Sequence, residues 1–256
     1  MGKHSRKFEL AKKNFEYSHE NGGFKYKYLP QWLEFKSSKF KAETDRKSKK
    51  KFFNLRRGTL VYAQLGVNLG SEFSGNHFCI VLNKKDTSYK ETITVVPLSS
   101  KPHHSYLQLD DSIIYFVMMQ IGEFLETGRP VVLNTYKDVM VNQKLLLQEE
   151  RVLRMKLPLN SAKYWPDFIR KKQLFRKRMA EQNDFYDNAF SQLKVILDRY
   201  RRFTGSKSYA HINSIQTISK SRLIRINDLD PTGKVTFSKE SMKKIDEEIM
   251  RRFIEG

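Results

Sequence analysis

Residues 66–78 read GVNLGSEFSGNHF and set a carboxylate, Glu72, five positions before an imidazole, His77, among glycines and serines. Both groups exchange protons, and an unperturbed imidazole does so at about pH 6.5. Glycines at 66, 70 and 75 let a backbone turn sharply and bring its N–H groups up to an oxyanion such as a phosphate. The stretch therefore reads either as a plain connection between strands or as a loop that moves protons beside an anion. Further reactive types follow in PLSSKPHHS, with Ser99, Ser100, His103 and His104. Two adjacent histidines lack the spacing of a metal site, and the sequence holds no convincing metal or cofactor constellation. Cys79 is the only cysteine and lies inside the apolar run FCIVL, so a small buried hydrophobe is expected there.

These residues need strands to hold them. TLVYAQLG, HFCIVLN and ETITVVPLSS are short runs rich in β-branched and aromatic residues, bounded by Gly, Asn, Asp and Ser. NKKDTSYKE reads as a hairpin loop and SYLQL as a fourth strand, so residues 57–109 form a compact, strongly curved antiparallel unit. Before it, SRKFELAKKNFEY reads as a short helix burying Phe8, Ala11 and Phe15, broken by Gly22-Gly23. Pro30 marks a second helix start. RKSKKKFFNLRR, residues 46–57, carries seven basic residues and no acid, and reads as a phosphate-facing edge in preference to a solvated linker.

After residue 109 the periodicity turns helical. IIYFVMMQIGEFLE and VMVNQKLLLQEERVLRMKL lead to a long helix opened by Pro166. Phe168, Phe175, Met179, Tyr186, Phe190, Leu193, Leu197 and Tyr200 make one stripe on it, expected to be core. Then INSIQTI reads as a strand, while RLIRIND is open to either assignment. Ser238 suits the N-cap of a last helix whose apolar face is Ile245, Ile249, Met250 and Phe253.

The chain has 256 residues, with 48 Lys and Arg against 28 Asp and Glu, a formal charge of +20. That one-sided excess points to a polyanionic partner, nucleic acid or an acidic protein, because neutralising phosphates releases condensed counterions. No run approaches the ~18 apolar residues of a membrane span. MGKHSRKFELAKK lacks an apolar signal core. A cytoplasmic protein with no membrane partner is the expectation.

Against this background, RRGTLVYAQLGVNLGSEFSGNHFCIVLN resembles the opening of the MazF/PemK ribonuclease toxins: a basic residue and RGD, a strand, GSEQxGxRP, then a strand. ETITVVPLSSKPHHSYLQL resembles the third strand, the PLTS-like turn and the strand after it. INSIQTISKSRL resembles the family's IRTIDKQRL, and GKVTFSKESMKKIDEEI its terminal helix, in the same order. The resemblance covers roughly residues 55–109 and 207–254. It implies an α+β fold: an SH3-like (MazF/CcdB-type) antiparallel β-barrel with an N-terminal helical extension and a large α-helical insertion. The segments would be a basic helical extension at 1–54, the first part of the barrel at 55–109, the insertion at 110–206, and barrel completion with a C-terminal helix at 207–256. It further implies metal-independent, cofactor-free cleavage of single-stranded RNA at short sequences, leaving 2′,3′-cyclic phosphate and 5′-hydroxyl ends. The implied partners are single-stranded RNA, an antitoxin whose tail covers the RNA groove, and a second copy in a homodimer.

Carried over by position, Gly70, Ser71 and Glu72 match GSE. Phe73 replaces the usual Gln, where it could stack on a base or fill the loop; Ser74, Gly75 and Asn76 complete the phosphate-binding turn. His77 stands where the family has its catalytic arginine. An arginine stabilises phosphate charge but does not readily exchange protons, whereas histidine does both. His77 is therefore assigned proton transfer and phosphate contact, with Glu72 as its partner or as the base. Ser99 aligns with the active-site threonine and Ser100 adjoins it. Arg57 and Lys84, flanked by Arg56 and Lys85, would add RNA affinity. The alternative is a catalytically inactive nucleic-acid- or protein-binding module on the same barrel, a regulator or a CcdB-like gyrase poison. The extension and insertion could also cover the groove in cis.

Overall fold

Three runs crowded with β-branched and aromatic residues become the three long strands of a computed structural model. It describes residues 3–45, 51–120, 122–123, 143–151, 165–203 and 207–255. The strands are β1 (Leu60–Gly66), β2 (Gly75–Val81), β3 (Thr92–Ser99), β4 (Leu107–Gln108), β5 (Tyr209–Ala210) and β6 (Gln216–Ser219). The helices are α1 (Lys3–Asn21), α2 (Leu29–Thr44), α3 (Trp165–Tyr200) and α4 (Lys239–Phe253), with further helical turns at 113–120 and 143–151. The fold is α+β. Its six strands form an antiparallel sheet of order β1-β2-β3-β5-β4, and β6 pairs with β3 beside β5.

Strands 1 to 3 read as nearly unbroken apolar runs because both their faces are covered. Val61, Ala63, Leu65, Cys79, Val81, Ile93, Val95 and Ile218 share one core cluster with Leu55. Leu60, Phe78, Ile80, Val96 and Leu98 are buried as well. On its other edge β1 meets chain that follows β6. Ala63 bridges Leu223, Thr59 bridges Thr236, Ile224 N–H donates to Tyr62 O (2.8 Å) and Leu60 N–H to Val235 O (3.0 Å).

A buried ion pair locks three segments of this unit together. Lys220, on the turn after β6, donates from Nζ to Asp86 Oδ2 (2.6 Å), Thr87 O (2.9 Å) and Phe53 O (3.1 Å). Leu55 N–H donates to the same carboxylate oxygen at 2.9 Å. The two side chains are 2% and 1% exposed. Charges removed from water this far are tolerated only when paired and hydrogen-bonded.

The residues divide into two compact units, Met1–Phe116 with Arg202–Arg225 and Asp230–Gly256, and Val117–Arg201 with Ile226–Leu229. In the second, α3 is braced by Lys171–Glu149 (3.0 Å) and Lys172–Glu150 (3.5 Å), and Asn227 Nδ2 donates to Gln192 O (3.1 Å).

Three expected apolar faces are corrected. On α1, Phe8 and Phe15 are 78% and 42% exposed, because the helix meets little chain beyond its partner α2. On α3, Tyr200 is buried as expected, but Phe190 and Leu197 are exposed and Ile196, outside the expected stripe, is buried, so only part of that stripe is core; the side chains of Phe168 and Tyr186 lie outside the description. On α4, Met242 and Ile245 are buried but Met250 and Phe253 are exposed, since the core contact sits at the helix start. Residues 46–50 of the basic run lie outside the described residues, and the rest of it runs against the β2–β3 connection through Phe52 N–H to Ser88 O (2.8 Å). Ser238 does cap α4, its Oγ accepting from Ser241 N–H.

Candidate functional site

The β1–β2 pairing sets Ala63 opposite His77 and Gln64 opposite Asn76, then slips by one residue so that Gly66 faces Gly75. Between these glycines the chain makes a loop held by its own polar groups. Ser74 Oγ accepts from Asn68 N–H (3.1 Å) and donates to Glu72 O (3.0 Å), and Asn68 Nδ2 donates to Phe73 O (2.8 Å). Gly66 has φ +90°, and a Cβ there would lie 2.3 Å from the Trp32 ring. The indole of α2 thus packs flat on the backbone at the loop entrance, which only glycine permits. Arg222 lies over that ring at 5.1 Å and donates to Leu65 O (3.4 Å); burial pushes its pKa down.

His77 leaves the loop into β2 half-buried. Its Nε2 donates to Ser74 O at 3.0 Å, and since a carbonyl only accepts, that nitrogen carries a proton. The Phe73 ring lies 4.3 Å from the His77 ring and 5.0 Å from that of His211, the residue following β5. Tyr106 stands 4.4 Å from His211, and His103 4.9 Å from Tyr106. Phe73 therefore touches two imidazoles, in a chain of rings drawn from three separate parts of the sequence.

Elements explain how His211 arrives. β5 pairs with β3 through Leu98 and Ala210, and with β4 through Leu107 and Ala210, while His211 N–H donates to Pro97 O (2.9 Å). Ser99, two residues on from Pro97, shares a strand face with it. His211 Nδ1 is buried and has no hydrogen-bond partner among the described residues. Burial, then the charges of His103 and Arg252, hold the His211 pKa below the ordinary imidazole value. Arg252 reaches in from α4, donating to Ser105 O (2.9 Å) and Asn213 Oδ1 (3.0 Å).

The other expected residues are scattered. Glu72, Ser71 and Asn76 are exposed, and no hydrogen bond joins Glu72 to His77 among the described residues. Gly70 is open, with nothing near a Cβ position, and its carbonyl accepts from Lys25 Nζ (2.9 Å). The Ser74 hydroxyl is engaged within the loop. Ser99 Oγ donates to Lys101 O and accepts from Lys101 N–H, both at 3.0 Å, and Ser100 adjoins it half-buried. Arg57 bonds Leu82 O and pairs with Asp246. It lies with exposed Lys84 at the far end of the β1–β2 hairpin, roughly 17 Å from His77 at ~3.4 Å per residue. Cys79 is fully buried, and that burial raises its thiol pKa.

Sequence reasoning passed over His211, Tyr106, Arg252 and Trp32. The only local mark of His211 is its place beside the short YA strand, too brief to stand out.

Residues 56–113 match the family model described as PemK-like, MazF-like toxin of type II toxin-antitoxin system. Residues 56–113 are a PemK/MazF-family segment. It runs from the residue before Arg57 through β1 to β4, so the PemK/MazF segment contains Glu72, His77, Ser99 and Tyr106, and ends before His211. No curated protein matches the chain. Among the described residues no helix is long and apolar enough to cross a membrane.

Proposed function

We propose that this PemK/MazF-type protein is a toxin-like endoribonuclease that cleaves single-stranded RNA without a metal or cofactor, by attack of a ribose 2′-hydroxyl on the adjacent phosphorus. The bond to the 5′-oxygen breaks, leaving a 2′,3′-cyclic phosphate and a 5′-hydroxyl. Such a step needs a base for the attacking hydroxyl, an acid for the leaving oxygen and donors for the phosphate. The observation that carries the reading is the pair of imidazoles, His77 and His211, that both meet the Phe73 ring. His211, held neutral by its depressed pKa, suits the base. His77 suits the acid and a phosphate donor, and Ser99 a second donor. The exposed Glu72 serves as loop carboxylate toward the substrate, not as a fixed partner of His77. Gly70, Ser71 and Asn76 offer open backbone and side-chain donors along the loop. The hydrogen bonds that lead from β3 through β6 to the outer edge of β1 support the SH3-like barrel that the family implies. An antitoxin and a second copy are the partners this reading carries with it, and a cytoplasmic location the setting.

The test is digestion of single-stranded RNA in EDTA with the product ends mapped. Cyclic phosphate ends that vanish in His77→Ala and His211→Ala, with unchanged circular dichroism, are expected. Undiminished cleavage by both variants would sink the assignment. One observation favours a second reading, a binding module without catalysis: the family arginine is absent and His77 Nε2 is turned to Ser74 O. RNA retention on a filter with no cleavage by the wild-type chain is its signature.

A further inference from the structure

Between α1 and α2 the chain makes a single tight turn, Phe24–Tyr28, of sequence FKYKY. It is a short 3₁₀ helix, in which residues three apart eclipse one another. Phe24 and Lys27 therefore share one side, and Lys25 and Tyr28 another, while Tyr26 has the remaining side to itself. Tyr26 points inward: its ring lies against Gly22, where a Cβ would sit 2.5 Å from it, and its carbonyl meets His19 Nδ1 at 3.0 Å. That anchor leaves the other rings outside. Phe24 is 71% and Tyr28 53% exposed, and they meet edge to face at 5.6 Å.

Two large rings held in water beside one another are unfavourable for a surface with no ligand. The charges around them restrict what the ligand is. Lys27 Nζ lies 5.7 Å from the Phe24 ring, and Lys25 Nζ 5.2 Å from the Tyr26 ring. From Asn21 to Leu33 the sequence contains no Asp or Glu. Neither lysine has a carboxylate partner among the described residues. Exposed π-faces interleaved with unneutralised cations fit unpaired bases on the rings and phosphates on the ammonium groups. An acidic peptide would satisfy the lysines but leaves the flat faces of both rings without a matching surface.

The turn also has a defined place. Lys25 Nζ donates to Gly70 O, the open glycine two residues before Glu72, and Trp32 of the following helix clamps Gly66. The turn is thus fastened to the loop that carries Glu72 and leads into His77.

We infer that the FKYKY turn is a stacking platform for single-stranded RNA, taking one or two unpaired bases on Phe24 and Tyr28 as the strand leaves the β1–β2 loop. This rests on the reading of RNA as substrate, and it makes the N-terminal extension part of the substrate-binding surface. It also predicts a preference for unpaired strands, since a duplex hides its π-faces.

The test measures binding apart from cleavage. A mixed-sequence 2′-O-methyl RNA lacks the attacking hydroxyl, so its retention on a filter reports affinity alone. It is used single-stranded and annealed to its complement, with the full chain, F24A/Y28A, F24L/Y28L and K27Q. The expected result is a loss of single-strand affinity of roughly 5- to 150-fold in F24A/Y28A, the range of one lost stacked base. F24L/Y28L should lose nearly as much, and the annealed probe should bind weakly and equally to all four. K27Q should flatten the salt dependence by about 0.7 of a logarithmic unit per phosphate released. Equal single-strand affinity of wild type and F24A/Y28A overturns the platform, as does full retention by the leucine variant. Wild-type cleavage of ordinary RNA alongside unaffected binding by F24A/Y28A would remove the platform and leave the nuclease standing. Platform-dependent binding with no cleavage would do the reverse. Pull-down of an acidic synthetic peptide, lost in F24A/Y28A while RNA binding is retained, would also overturn it.

Discussion

At the residue scale the two imidazoles carry the proposed chemistry. Loss of a general acid or base costs roughly 10²–10⁴-fold in rate. His77→Ala and His211→Ala are each expected to lower single-turnover cleavage by that range, and the double variant by little more, because both act in one step; stopped reactions resolved on a gel read this directly. The pH profile discriminates their roles. Burial, then His103 and Arg252, depress the His211 pKa. A base depressed below the ordinary value of about 6.5 stays unprotonated until the pH falls beneath it, so the acid limb of the rate profile is expected under pH 6.5. His103→Asn removes one of those charges while burial remains. The limb should move upward toward, but not past, the unperturbed position. A limb that stays in place, or moves down, would take the base role from His211.

At the element scale, function depends on how α2 and the post-β6 turn grip the loop-bearing strands. Gly66→Ala meets both a left-handed φ of +90° and the Trp32 ring at 2.3 Å. A cost of about 2 kcal/mol or more is expected, since strain of this type runs to ~1–3 kcal/mol before the clash is added. Trp32, 7% exposed, is expected to cost about 3–5 kcal/mol as alanine, by urea denaturation. Lys220 and Asp86 are 134 positions apart and almost fully buried. Lys220→Met strands a carboxylate in the core, for an expected loss of about 3–5 kcal/mol, and K220M/D86N should recover part of it. Burial raises the Asp86 pKa, but the Lys220 hydrogen bond, the Leu55 N–H, the ammonium charge and the Thr87 N–H together leave it lowered. With a folded value below the unfolded one, its contribution is present above about pH 4 and drains away as the pH falls through the folded value. Urea denaturation at a series of pH values should therefore show wild-type stability falling below about pH 4, while the deficit of K220M relative to wild type shrinks as the pH falls, because protonation neutralises its stranded carboxylate.

At the scale of the whole molecule, the formal charge of +20 predicts RNA affinity that falls steeply with salt, by a slope of about 0.7 per phosphate contacted. Filter binding between low and physiological salt measures it, and a flat response would deny the polyanion any share in the function. The strands were legible because β-branched residues bounded by turn formers mark them locally, and a cap such as Ser238 is read over three residues. The exposed face of α1 was not, because Phe8 and Phe15 have helical spacing whether or not a partner covers them. The loop with Glu72 and His77 stood out by composition, yet its bracing by Asn68 and Ser74 did not.

The sequence by itself determined the three apolar strands, the glycine-bounded loop between the first two, the surplus of positive charge and the family likeness. These are properties of composition and of spacing over a few residues, where local sterics and periodicity act. Only the tertiary structure decided that His77 and His211 both meet Phe73, that Lys220 finds Asp86, and that Trp32 lies on Gly66. Those partners are chosen by strand register and by what else competes for the buried space, and neither is encoded within reach of one turn or one strand.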